Sequence, residues 1–182
     1  MVPQSRQKPL RALEKRGNPW GKMEKKRADW TKELPAEVTV KNLEKGKETA
    51  GTLYFVDSIT SYDDRMQELG RATATILSRA GADVGILGKD EKDAGNEIRR
   101  FGEEMLFQTM KEMNTDAILE SGAKHIVTAD PHAYNALKND YQGLPPVEHI
   151  SQFIARNVKS GAIRLKSANG DGKVYTYHDP CY

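Results

Sequence analysis

The sequence contains a single cysteine, Cys181, among its 182 residues. One cysteine excludes an internal disulfide, and it excludes an iron–sulfur cluster held by this chain alone, because such clusters are held by about four thiolates. Long apolar runs are also missing, and no stretch approaches the roughly 20 apolar residues of a membrane-spanning helix. The polar, basic N-terminus does not resemble a secretory signal, so we expect a cytoplasmic protein without a transmembrane segment.

Positive charge is concentrated near the N-terminus. Residues 1–50 contain 13 Lys and Arg against 7 Asp and Glu, whereas residues 51–182 contain 15 against 19. The near-neutral total of +2 therefore conceals a basic arm on an acidic body. A basic arm can bind nucleic acid by neutralising phosphates, but acidic residues interleave with the basic ones here, so we expect no nucleic-acid partner.

The apolar pattern divides the chain into an N-terminal linker or arm, residues 1–51, and an α/β domain, residues 52–182. Within the arm we predict a short helix at residues 10–16 and a strand-like piece at 38–40, in otherwise extended chain. Tryptophan is costly to leave in water, so Trp20 and Trp30 predict that the arm lies on the body or on a partner.

Strand and helix patterns alternate from residue 52 onward. Strands are predicted at residues 53–56, 84–87, 125–129, 147–150 and 174–177, with helices at 66–80, from 98 to about 121, at 131–141 and at 151–160. The second of these helices is expected to bury one stripe of side chains: Ile98, Phe101, Met105, Leu106, Thr109 and Met113. This order predicts an α/β fold, a mostly parallel sheet of four to five strands with helices on both faces, preceded by the extended basic arm.

Ligands of open α/β sheets gather outside the carboxyl ends of the strands. The polar residues predicted at or near this rim are Ser58, Asp93, Asp130, His132, His149 and His178. Histidine and aspartate bind zinc or iron, so one hypothesis is a metal-binding domain or a free-standing α/β enzyme that uses a His/Asp rim. The structural alternative is that Asp130 caps a helix, with Pro131 at its first position, and that the histidines face solvent or bond backbone groups.

We considered two further kinds of site at the same rim, a phosphate site and a catalytic triad. Residues 58–61 could cradle a phosphate where a strand enters a helix, but that loop has no glycine and is flanked by aspartates that would repel an anion. Ser58, His132 and Asp130 could form a catalytic triad, which requires a hydrogen-bond geometry that sequence does not supply.

Four segments carry a family resemblance. They are FVDSITSYDDR (55–65), GILGKDEKDAGNEIRRFGEE (85–104), IVTADPHAYNALKNDY (126–141) and VYTYHDPCY (174–182). They resemble heterodisulfide reductase-like iron–sulfur subunits. In that family the cysteine-rich repeat, or CCG domain, has one cysteine, roughly thirty residues, a cysteine pair followed by glycine, about thirty-five residues, and then Cys-x-x-Cys.

In this chain the corresponding positions, which we call the five ligand positions, are Ser58, Asp93, Ala94, Asp130 and Ala133. Ser58 and Asp93 are separated by 34 residues, and Ala94 and Asp130 by 35. The resemblance therefore implies a first CCG repeat whose cluster cysteines are all replaced. Ligation of a residual cluster by Asp93 and Asp130 stays open as an alternative, although oxygen donors suit a sulfide cluster poorly.

The same resemblance gives Cys181 a role. In the family the word His-Asp-Pro-Cys opens a second repeat, so Cys181 would be the first ligand of that repeat, and we expect the chain to be truncated there. The family implies an oxidoreductase subunit that transfers electrons through 4Fe–4S clusters, with a flavoprotein or membrane partner that would bring it to a membrane. For this chain alone we expect no cluster, no catalysis, and a structural role in docking to the rest of the iron–sulfur subunit.

Overall fold

The structure is a computed structural model that describes residues 4–166 and 172–178. Five strands form one parallel sheet in the order β1-β3-β2-β4-β5. The strands are β1 (Lys41–Asn42), β2 (Thr52–Tyr54), β3 (Val84–Ile86), β4 (His125–Thr128) and β5 (Val147–His149). All strand carboxyl ends of a parallel sheet meet at one edge, so the loops after β2, β3 and β4 become neighbours.

The helices lie before, between and after these strands in the chain. They are α1 (Gln4–Arg16), α2 (Ser58–Tyr62), α3 (Gln67–Arg79), α4 (Asn96–Arg100), α5 (Glu104–Glu120), α6 (Pro131–Asn139) and α7 (Ile150–Ser160). Short 3₁₀ turns cover Glu24–Lys26, Asp29–Glu33, Glu44–Gly46 and Gly88–Asp90. The predicted fold class, α/β with a parallel sheet, is confirmed.

Both faces of the sheet are buried. Leu53 and Phe55 belong to one core cluster, and Tyr54 and Val56 belong to the other, because successive side chains of a strand point to opposite faces. Helices α1, α4, α5 and α6 contribute to the first cluster, whereas α3 and α7 contribute to the second. This two-sided burial explains why consecutive residues are buried along the inner strands β2, β3 and β4, whereas the edge strands β1 and β5 contain polar residues and are only partly buried.

Residues 4–51 contain more structure than the extended arm predicted from sequence. Trp30 is 1% exposed and packs edge-on against Tyr54, with ring centroids 5.8 Å apart. The strand expected at residues 38–40 lies slightly later, as β1 at the edge of the sheet beside β3. The prediction that the arm lies on the body is thus confirmed at Trp30, while Trp20 is 48% exposed near Tyr62. A domain boundary at residue 51 stays a prediction.

Two predicted elements are wrong. Residues 174–177 form no strand, and Val174 is 99% exposed. A strand needs a paired neighbour, which local β propensity does not provide.

The long helix expected from residue 98 is divided into α4 and α5 by a break at residues 101–103. Gly102 adopts a positive φ of 84° there, which shifts the helical register. The predicted stripe therefore fails after the break: Met105 is 88% exposed, and Phe107 and Met110 are buried in its place.

In the part of the chain that the structure describes, no helix combines the length and apolar character needed to cross a membrane.

Candidate functional site

The carboxyl ends of β2, β3 and β4 surround one cavity of about 380 Å³. Three of the five ligand positions, Ser58, Asp93 and Asp130, line it. They come from three loops that are far apart in sequence and that the parallel sheet brings to one edge. We call this space the rim cavity.

The loop after β2 makes a sharp turn into α2. Asp57 has a positive φ of 61°, which is uncommon for a residue other than glycine, and its Oδ1 accepts a hydrogen bond from the N–H of Ser58. Both residues are buried. The turn thus places a carboxylate and a hydroxyl side by side at the wall of the rim cavity.

The loop after β3 contains the sequence Asp93-Ala94-Gly95. Asp93 Oδ1 accepts a hydrogen bond from the N–H of Gly95 at 3.0 Å, and the N–H of Asp93 donates to the carbonyl of Gly17 at 2.8 Å. Gly95 has a φ of 82°, and a Cβ there would lie 2.7 Å from Cδ2 of Phe107. Glycine is therefore required after Ala94 both by the backbone conformation and by the close approach of α5.

The remaining two ligand positions, Ala94 and Ala133, are 1% and 0% exposed and belong to the first core cluster. The hydroxyl of Tyr141 donates to the carbonyl of Ala94 at 3.2 Å. Methyl groups at these positions bring neither charge nor hydrogen bonding to the site.

The loop after β4 starts α6. Asp130 Oδ1 accepts hydrogen bonds from the N–H groups of His132 (2.8 Å) and Ala133 (3.1 Å), which confirms the predicted helix cap. His132 Nδ1 lies 2.6 Å from Oε1 of Glu97 and 3.1 Å from Nδ2 of Asn96. The imidazole of His132 therefore contacts α4 at the border of the cavity.

A buried ion pair beside the cavity was not predicted from sequence. Arg27 is 3% exposed, its Nε lies 3.2 Å from Oε1 of Glu91, and its Nη1 and Nη2 lie 3.4 and 3.3 Å from the hydroxyl oxygen of Ser58. Glu91 also accepts hydrogen bonds from the N–H groups of Val56 and Asp57. Arg27 sits among surface lysines in the sequence, so no local signal distinguishes it from them.

Burial dominates the electrostatics of the carboxylates. It raises the pKa of Asp57 well above its ordinary value, and the charges of Asp93 and Asp130 add to that rise, while Arg27 opposes it. Burial likewise raises the pKa of Asp93, against the hydrogen bonds from Gly95 and Ser58. Low dielectric and like charges both favour the protonated acid.

The other walls of the rim cavity are apolar. They are supplied mainly by Pro9, Leu10, Leu13, Pro19, Trp20, Ile59, Ile98 and Phe101. The charged lining residues are acidic, namely Asp57, Asp93, Glu97 and Asp130, and no Lys or Arg among the described side chains lines the cavity. The site is an apolar pocket with four acidic side chains in its lining.

The histidines of the metal hypothesis occupy different surroundings. His149 caps α7, with Nδ1 2.8 Å from the hydroxyl of Ser151 and Nε2 3.2 Å from the carbonyl of Ala129. His178 is exposed in the segment 172–178. Within residues 4–166 and 172–178, no group of three or more His, Cys, Asp or Glu side chains is arranged to hold a metal ion. Cys181 lies outside the described residues.

The site does not fit the iron–sulfur cluster that the resemblance implies. Such clusters are held by cysteine thiolates, whereas the five ligand positions offer one hydroxyl, two carboxylates and two methyl groups. The hydroxyl of Ser58 is already bonded to Arg27, and one carboxyl oxygen of Asp130 is bonded to the first turn of α6.

Comparison with known proteins gives a consistent picture. The family model of the cysteine-rich domain, CCG, matches residues 58–138. The "Probable iron-sulfur-binding oxidoreductase FadF" of Bacillus subtilis is 39% identical over 97% of this chain and 25% of its own length. The EtfAB:quinone oxidoreductase of Syntrophomonas wolfei is 37% identical over 93% of this chain and 24% of its own length.

A more distant relative is a component of the dihydromethanophenazine:CoB–CoM heterodisulfide reductase of Methanosarcina acetivorans, 28% identical over 91% of this chain and 39% of its own length. The chain spans about a quarter of the length of the first two relatives. No solved structure matches. The matches confirm the resemblance at the level of the CCG domain and of relatives named as iron–sulfur oxidoreductases and a heterodisulfide reductase component.

Proposed function

We propose that this chain is a degenerate CCG repeat of an iron–sulfur electron-transfer oxidoreductase, and that it holds no cluster and serves as a structural and docking unit. One observation carries the proposal: the five ligand positions keep the spacing of the repeat and contain no thiol. Three of them line one cavity and two lie in the core. Relatives named as iron–sulfur oxidoreductases supply the electron-transfer context.

The buried polar network supports this role because it ties together the loops that a cluster would otherwise join. Arg27 connects the N-terminal segment to the loop after β3 through Glu91, and to the loop after β2 through Ser58. Asp93 adds a further link through the carbonyl of Gly17. Protein side chains and backbone thus hold the rim together.

The exposed side of α5 is the surface that we assign to docking. Met105 is 88% exposed and Met113 is 47% exposed. Together with Leu106 and Thr109 they line a groove between α1 and α5. Methionines adapt their shape to a partner surface, and an exposed apolar stripe is costly unless a partner covers it. We propose that the partner is a cluster-bearing cysteine-rich repeat of the same oxidoreductase, for which the relatives' greater length leaves room.

Charge substitution on α5 tests the docking role. The double variant Met105→Glu with Met113→Glu is expected to lose co-purification with the cluster-bearing repeat, since two carboxylates would be buried without partners. Leu165→Glu is the matched control, because Leu165 is 72% exposed outside the groove. Undiminished co-purification of the double variant would contradict the assignment of this face.

A further inference from the structure

The rim cavity combines features that belong to a ligand site. Its volume, about 380 Å³, lies in the range of small-molecule pockets, roughly 300–1,000 Å³. Most of its wall is apolar, and its charged lining residues are acids. An ionised carboxylate against an apolar wall is unfavourable, so it either takes up a proton or is compensated by a positive group.

Asp57 is the second and independent observation. It is 6% exposed, and its carboxylate receives one hydrogen bond from the described groups, the Ser58 N–H on Oδ1. The nearby guanidinium of Arg27 is bonded to Glu91 and to the hydroxyl of Ser58. Asp57 also lines the rim cavity. A carboxyl group at a cavity wall that accepts a single hydrogen bond from the described groups can accept further hydrogen bonds from a ligand.

We propose that the rim cavity binds an alkylammonium group, with the ammonium at Asp57 and Asp93 and the alkyl chain against α1 and Trp20. An ammonium supplies three donors and one positive charge, which match carboxylates from two loops. The apolar wall, including Leu10, Leu13 and Ile98, buries the chain. A divalent metal ion fits less well, because the described residues contain no group of three or more ligands arranged for it.

The same chemistry could come from a free amine or from a lysine side chain of a partner. The proposal goes beyond the proposed function, because it depends only on the walls of the cavity. Loss of docking through α5 would leave amine binding intact, and loss of amine binding would leave the cluster-free assignment intact.

Calorimetric titration with n-hexylamine hydrochloride tests the proposal. Binding is expected, and Asp57→Asn is expected to weaken it by about tenfold or more, as is typical of a lost charge-assisted hydrogen bond. Glu112→Gln, an exposed change on α5 outside the cavity, is the matched control and should leave the affinity unchanged. Circular dichroism of each variant establishes that it is folded, and Asp93→Asn provides a second variant if Asp57→Asn unfolds.

Neutral and anionic analogues separate charge recognition from simple burial of a chain. Hexanol and hexanoate are expected to bind at least about tenfold more weakly than hexylammonium. Equal binding of hexanol, or an Asp57→Asn variant that binds as tightly as the wild type, would overturn the proposal, as would no heat of binding from hexylamine. Parallel titration with Nα-acetyl-lysine amide identifies the source, since tighter binding of this compound indicates a protein lysine and weaker binding indicates a free amine.

Proton release provides a readout that a merely structural carboxylate would not give. The groups facing Asp57 are Arg27, Glu91, Asp93, Glu97, Asp130 and His132. A bound cation favours the ionised acids, so binding should release protons and tighten as the pH rises. Titrations in two buffers of different ionisation enthalpy measure that release, and an affinity independent of pH would contradict the placement of the ammonium at Asp57 and Asp93.

Discussion

At the scale of single residues, the five ligand positions divide into two kinds. Ser58, Asp93 and Asp130 are polar and line the rim cavity, whereas Ala94 and Ala133 belong to the core. The resemblance to the CCG repeat, together with its spacing, identified the five positions. Their division into wall and core could not be predicted, because it depends on which side chains α5 and α6 pack against in three dimensions.

Arg27 and Glu91 lead to the first residue-scale prediction. Arg27→Met leaves the Glu91 carboxylate buried without its partner, so the free energy of unfolding should fall by about 3–5 kcal/mol. Adding Glu91→Gln should recover part of the loss, because the amide oxygen still accepts from Val56 and Asp57 without carrying a charge. Urea unfolding measures both changes.

The matched control for Arg27 is Arg79→Met, which breaks an ion pair with Glu37 on the surface. Exposed pairs contribute little, so its effect should be small. A loss for Arg27→Met no larger than that of Arg79→Met would show that the buried pair does not hold the rim together.

Asp57 gives a pH prediction. The folded pKa of Asp57 lies well above the ordinary value of 3.8. At a pH between the ordinary pKa and the folded pKa, Asp57 is protonated in the folded protein and ionised in the unfolded chain. The contribution of Asp57 to stability is therefore present at low pH and is lost as the pH rises through the folded pKa. Asp57→Asn removes this dependence, and asparagine tolerates the positive φ.

The quantity to follow is the free energy of unfolding of Asp57→Asn minus that of the wild type, measured by urea unfolding from pH 4 to pH 8. Taking the difference removes the titration of other groups to first order. It should rise with pH. A difference that stays flat or falls would mean that burial does not raise the pKa of Asp57.

At the scale of secondary structure, apolar periodicity located β2, β3, β4 and β5 within one or two residues of their observed bounds. The local sequence pattern predicted the wrong structure where tertiary contacts and backbone conformation decide which element forms. Residues 174–177 have the composition of a strand but do not pair with the sheet. The predicted helix stripe shifts at Gly102 because that residue adopts a positive φ.

Gly95 gives the element-scale prediction, because it joins the rim to the start of α4. In Gly95→Ala the added Cβ would lie 2.7 Å from Cδ2 of Phe107, and the alanine would also have to adopt a positive φ. Gly102→Ala is the matched control: its φ of 84° is nearly the same, and nothing lies within 4 Å of the added Cβ. The control should lose about 1–2 kcal/mol from the backbone term alone.

The clash should make Gly95→Ala lose about 1–3 kcal/mol more than Gly102→Ala, as measured by urea unfolding. Equal losses in the two variants would show that Phe107 moves aside freely and that α5 does not fix the loop after β3.

At the scale of the whole molecule, the N-terminal segment belongs to the structure of the site. Leu10, Leu13 and Trp20 line the rim cavity, and Arg27 reaches its edge. One basic residue of this segment, Arg27, forms a buried ion pair with Glu91 of the loop after β3. Which of the basic residues turns inward could not be predicted, since burial depends on the tertiary contacts of Trp30 and β1.

The central claim is that this repeat holds no iron–sulfur cluster, and the most direct measurement is iron and acid-labile sulfide after anaerobic reconstitution and desalting. Cys181→Ser removes incidental binding at the one thiol. A variant with cysteine introduced at Ser58, Asp93, Ala94, Asp130 and Ala133 shows whether the procedure can load the site. The wild-type chain should retain neither iron nor sulfide in stoichiometric amount and should stay colourless, and near-stoichiometric iron and sulfide with a broad visible absorption would contradict the claim.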